Sequence, residues 1–198
     1  MRTCTELQND GGWAEDQIVK RCSFPIGPIN TWTNLAYVLA GLLVWSHGLA
    51  GHVFAGQLVF LGIGSGLYHG FKTWLTARFD DAGMYLVYGG LAVYSVAPTA
   101  KLTPWFMLLV GSLLSWRFAF IPAQDSTERV LLGTFIAVVL LALGLNGHWV
   151  KALVGAALLS LAYGIWILDQ HKLFRWAPRW GHGVWHLLTA LATYILFV

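Results

Sequence analysis

Apolar and polar positions in this chain are sorted into long blocks, not mixed at a helical or strand period. No Asp, Glu, Lys or Arg occurs in 31–71, 82–100, 102–116, 130–150, 152–168 or 180–198. A helix that crosses a bilayer takes about 20 mostly apolar residues, within a range of about 17–25. The first block is long enough for two crossings, with a turn at Gly48–Gly51. The pattern therefore predicts seven helical spans, at 31–50, 53–72, 80–98, 103–121, 129–146, 149–169 and 180–198. Barrel strands do not fit, because the runs are about twice the length of a barrel strand and no sustained two-residue alternation appears. The expected fold is an all-α integral membrane protein, a seven-helix transmembrane bundle over 31–198 behind a polar N-terminal segment over 1–30.

Composition agrees with this picture. Of 198 residues, 57% are hydrophobic and only 11% charged, far more apolar than an average soluble domain. The first thirty residues carry Glu6, Asp10, Glu15, Asp16, Lys20 and Arg21, which does not read as a cleavable signal peptide. The first span is then its own insertion signal.

Charge sets the orientation. With seven spans, the N-terminal side receives Arg2, Lys20, Arg21, Lys72, Arg78, Arg117, Arg129, Lys172, Arg175 and Arg179, and the other side only Lys101 and Lys151. Positive residues in short loops favour the cytoplasm, so the N-terminus is expected inside and the C-terminus on the opposite side. The basic balance follows from these loops and implies no nucleic-acid partner. Cys4 and Cys22 would then lie in the cytoplasm and stay reduced. The basic, aromatic stretch 170–179 suits an interface with anionic lipids. Gly62, Gly64, Gly66, Gly70, Gly83, Gly89, Gly90 and Gly155 fall within spans, where small residues let helices approach closely.

Against this apolar background the ionisable residues stand out, since each costs about 2.5–3.5 kcal/mol at a span centre and marks function by default. Ser65 and His69 are four residues apart at the end of the second span, and His182 and His186 four apart at the start of the seventh. That spacing places each pair on one helical face. Asp80 and Asp81 open the third span. All of these lie at one depth on the N-terminal side. Three neutral imidazoles plus a water make the open coordination sphere of a catalytic zinc. A carboxylate beside it can take a proton from the water and return it to a leaving group. A serine can hold the water or a developing oxyanion. The plainer roles are a helix cap for Asp80 and Asp81, and helix–helix hydrogen bonding for His47, His52 and His148 on the far side. His171 reads as interfacial. Bis-histidine haem is a poorer fit, because this cluster offers three histidines.

These motifs resemble the CREST superfamily of alkaline ceramidases, progestin and adiponectin receptors and GPI-remodelling membrane hydrolases. Ser-x-x-x-His ends the second span, Asp opens the third and His-x-x-x-His opens the seventh. The resemblance covers about 28–198. It is strongest to the alkaline ceramidases, because His69 and Asp80 are eleven apart and Pro28-Ile-Asn-Thr-Trp-Thr-Asn-Leu35 is similar to their lead into the first span. It implies zinc ligands His69, His182 and His186, with Asp80 and Ser65 contacting the zinc-bound water. Asp81 lies off the matched spacing. The implied activity is hydrolysis of the amide of ceramide or a similar N-acyl lipid, releasing a fatty acid and a sphingoid amine near the cytoplasmic face.

One departure concerns calcium. Calcium-binding members carry a Glu just before the Asn-Thr motif, where this chain has Gly27 and Pro28. Ca2+ would have to be held by Glu6, Asp10, Glu15 or Asp16, in a register the sequence does not set. The alternative within the superfamily is a zinc-containing receptor with little or no hydrolase activity. A transporter or proton relay is disfavoured, because the ionisable residues do not continue to the other side. A retinal pigment is disfavoured because the seventh span has no lysine.

Overall fold

Pro28 begins the first helix with described bounds in the computed structural model, which describes residues 15, 23–120, 125–171 and 180–198. Helix α1 (Pro28–Thr33) is joined through Asn34 to α2 (Leu35–Val44). Proline suits a first helical position, where its missing N–H has no helical partner anyway. The cap residue Gly27 offers no side chain, and Glu15 serves instead. Its carboxylate accepts from the N–H of Ile29 at 2.6 Å and of Asn30 at 2.8 Å. Glu15 is thus a helix cap tying the N-terminal segment to the bundle. The expectations for Cys4, Cys22, Glu6, Asp10, Asp16 and the stretch 172–179 lie outside the described residues.

The remaining helices are α3 (Gly48–Phe71), α4 (Trp74–Val96), α5 (Thr103–Ser115), α6 (Asp125–Leu145), α7 (Trp149–Gln170) and α8 (Gly181–Phe197). A π-helical turn, Trp116–Phe120, extends α5. No strand occurs among the described residues. Counting α1 with α2, seven apolar helical segments among the described residues therefore match the seven predicted spans.

Two boundaries differ from expectation. The first turn closes at Gly48, with φ of +66°, so it occupies 45–47 instead of Gly48–Gly51. Helix α4 starts at Trp74, six residues before Asp80, because Thr73 and Thr76 form a reciprocal capping box. Thr73 Oγ1 accepts from the Thr76 N–H at 3.2 Å, and Thr76 Oγ1 from the Thr73 N–H at 3.1 Å. Asp80 and Asp81 consequently sit in the second turn and do not cap the helix.

Successive segments pack on one another except at α6, which packs on α4 and on α7, and α8 returns to α1, α2 and α4, closing the bundle. Two glycines fix how closely. A Cβ on Gly64 would stand 2.8 Å from the Phe79 carbonyl oxygen, and one on Gly183 2.9 Å from the Ile29 side chain and 3.2 Å from Thr33. Only glycine lets α3 meet α4, and α8 meet α1, at these points. At the far end Phe197 stacks on Phe54 at 4.6 Å and on Tyr94 at 4.3 Å between ring centroids.

The outward faces are apolar as well. Leu39, Leu42 and Leu43 share one exposed face of α2, and Leu141 on α6 and Leu153 on α7 are exposed too. Helices α3 and α7 are long and apolar enough to cross a membrane.

Candidate metal centre

Three elements bring the polar residues together. Helix α3 carries Ser65 and His69 in its last two turns and ends at Lys72, whose φ of 53° and ψ of 37° are left-handed. Such a conformation is unfavourable for a residue with a Cβ and stops the helix directly after the histidine. The first two turns of α8 carry His182 and His186. The close contact at Gly183 seats that turn against α1.

The three histidines are buried, at 1%, 5% and 2% exposure for His69, His182 and His186. Their ring centroids are 4.8, 5.0 and 4.5 Å apart. His69 Nε2 and His182 Nε2 are 3.1 Å apart, and one nitrogen from each ring lies within 4.8 Å of the others. Nitrogens sharing one tetrahedral zinc stand roughly 3.3 Å apart, given Zn–N bonds of about 2.0–2.1 Å. The widest pair would have to close by up to roughly 1.5 Å on ligation, within the reach of a side-chain rotation. This donor set, three buried imidazoles from two helices, can hold a metal ion.

His186 is oriented from behind. Its Nδ1 is 2.9 Å from Thr33 Oγ1, and the Thr33 hydroxyl is itself 2.9 Å from the Ile29 carbonyl. With the hydroxyl proton on that carbonyl, the oxygen is free to accept from Nδ1–H, the arrangement that leaves the Nε2 lone pair of His186 available, as in ligand histidines commonly. Deeper in α8, Thr189 donates to the Trp185 carbonyl at 2.7 Å and accepts from the Tyr37 hydroxyl at 2.5 Å. This bond ties α2 to α8 one turn below His186.

Asp80 approaches from α4. The Ser65 hydroxyl faces its carboxylate closely enough to act on it as a hydrogen-bonding group. Lys72 acts electrostatically on Asp80 and on all three histidines. Its ammonium is 3.3 Å from His69 Nδ1 and lies over the Tyr68 ring. Asp81 is directed elsewhere. It pairs with Arg78 at 3.2 Å, with both side chains about a quarter exposed. His47 and His52 contact Phe197 and Trp45, away from the cluster, and His148 and His171 are exposed.

Three neighbours were not legible in the pattern of blocks. Thr33 lay in the Asn-Thr-Trp-Thr-Asn segment, with nothing to tie it to His186. Lys72 counted only as one more positive charge. Asp169 had a signal, an acid at the end of an apolar run. It is buried, and its carboxylate lies against Gly181, the first residue of α8.

The chain matches no protein-family model, no curated protein and no solved structure.

Proposed function

We propose that this protein is a seven-helix integral membrane hydrolase that binds zinc at His69, His182 and His186 and cleaves the amide of a ceramide-like N-acyl lipid. The carrying observation is the convergence of three buried imidazole nitrogens, with Ser65 one helical turn from His69 and facing Asp80, and Lys72 acting on Asp80 and on all three histidines. Zinc bound there would supply Lewis acidity and a water made acidic enough to be a nucleophile near neutral pH. Every other role falls to the chain. Asp80 takes a proton from the attacking water and hands it to the departing amine, a general acid–base role. Ser65 aims the Asp80 carboxylate by donating to it. Thr33 keeps His186 in its ligating tautomer. The apolar exterior and α3 and α7 support the membrane setting. The lysine and arginine asymmetry supports a cytoplasmic N-terminus, with the site near that face. The amide substrate rests on the resemblance to alkaline ceramidases, and chiefly on the step from His69 to Asp80.

The test is metal analysis of purified protein together with fatty-acid release from a long-chain ceramide. About one zinc per chain and release abolished in Asp80→Ala and His186→Ala are expected. Zinc without release from any N-acyl lipid would favour a receptor of this architecture. No zinc would end the proposal.

A further inference from the structure

A groove of about 480 Å³ runs along the outside of the bundle where α1 and α2 meet α8. Its described lining includes Pro28, Ile29, Ala36, Leu39, Trp180 and Leu187, and is apolar apart from the Thr33 hydroxyl and the indole N–H groups of its tryptophans. That volume falls within the range of small-molecule sites, about 300–1,000 Å³. The groove follows the helix axis. From Pro28 to Leu39 the rise is roughly 16 Å at about 1.5 Å per residue, close to half of a hydrocarbon core about 30 Å thick. It therefore runs from the N-terminal interface to about the bilayer midplane, the depth of one leaflet. Trp32 and Trp180 flank its polar end, both largely exposed, as interfacial anchors are.

The groove meets Thr33, which contacts His186 through Nδ1. None of His69, His182, His186, Ser65 or Asp80 lines it, so a chain whose amide is being cut must reach the site by another way. We propose that the groove seats one alkyl chain of a membrane lipid from the leaflet bordering the N-terminal face, separate from the substrate chain. A chain lying there covers Thr33 and keeps water from the hydrogen bond that orients His186, which is stronger in a dry setting. The inference rests on the membrane part of the function proposed above and not on the hydrolytic part.

Reconstitution into phosphatidylcholine bilayers, doped with a phosphatidylcholine bearing a photoreactive diazirine on its acyl chain, tests it. After illumination, peptide mass spectrometry locates the adducts. Labelling at Leu39 and Leu187 should exceed that at Leu153, an exposed leucine on α7, by several-fold. Ala36→Trp, which fills the groove, should bring it down to the Leu153 level, and the smaller Ala36→Leu should reduce it partway. Equal labelling at the three leucines, or an excess that survives both substitutions in folded protein, would overturn the inference. Metal-stripped wild type should label in the same pattern. Lack of zinc with the pattern intact therefore sinks only the hydrolase reading, and zinc with a flat pattern sinks only this one.

Discussion

Thr33 and His186 are 153 residues apart in sequence and 2.9 Å apart in the fold. With the threonine hydroxyl donating to the Ile29 carbonyl, the contact suits the histidine tautomer that carries its proton on Nδ1. Partners of this kind affect metal affinity by about 10–100-fold. Thr33→Val should therefore lower zinc affinity in that range, read by competition with a chelator, whereas Thr33→Ser should keep it. Equal affinities for Thr33→Val and wild type would show that the contact does not orient the ligand.

Zinc binding should also stabilise the fold, because ligands from α3 and α8 are brought to one centre. Anything that binds the native state alone raises stability by RT ln(1 + [L]/Kd), about 2.7 kcal/mol at a hundredfold excess over Kd. Thermal unfolding of metal-stripped protein in detergent should shift upward when zinc is restored. His182→Ala should unfold at the same temperature with and without the metal.

Asp80 and Asp81 are adjacent in sequence but have different partners. The first faces Ser65, and the second pairs with Arg78, both side chains about a quarter exposed. Asp80→Asn should lower the hydrolysis rate by about 10²–10⁴-fold, the usual contribution of a general acid–base group, with zinc content unchanged. Asp81→Asn should leave the rate within a factor of a few, since exposed ion pairs contribute at most about 1 kcal/mol. Ser65→Ala should fall between the two, and its effect should vanish in an Asp80→Asn background if it acts through Asp80.

Packing at Gly64 sets the distance between α3 and α4. A methyl group there would meet the Phe79 carbonyl at 2.8 Å, a backbone atom that cannot turn aside. Gly64→Ala should destabilise the protein by about 1–3 kcal/mol, as overpacking does, and should reduce activity beyond what the folded fraction explains. Gly56, which has open space around its Cβ position, provides the control. Gly56→Ala should be neutral or slightly stabilising.

Glu15 should matter for a different reason. Its two oxygens serve the N–H groups of Ile29 and Asn30, and loss of a helix cap costs about 0.5–2 kcal/mol. Glu15→Ala should lower the unfolding temperature by a matching amount. Added calcium should not restore it, because both oxygens already have backbone donors.

The sequence by itself determined the seven apolar segments and the two histidine pairs on single helical faces. Both follow from local rules: burial in an apolar medium demands long uncharged runs, and a spacing of four is one helical turn. It also placed His69, His182 and His186 at one end of the chain's spans. It could not show that Asp80 lies inside α4, because the charged residues there masked a helix that Thr73 and Thr76 begin. Nor could it separate Asp80 from Asp81 by environment, or connect Thr33, Lys72 and Asp169 to the histidines. Those relationships come from where helices touch, at Gly64 on Phe79 and at Gly183 on Ile29 and Thr33. Only the tertiary structure decided them, because a missing side chain permits close approach without naming the helix that will approach.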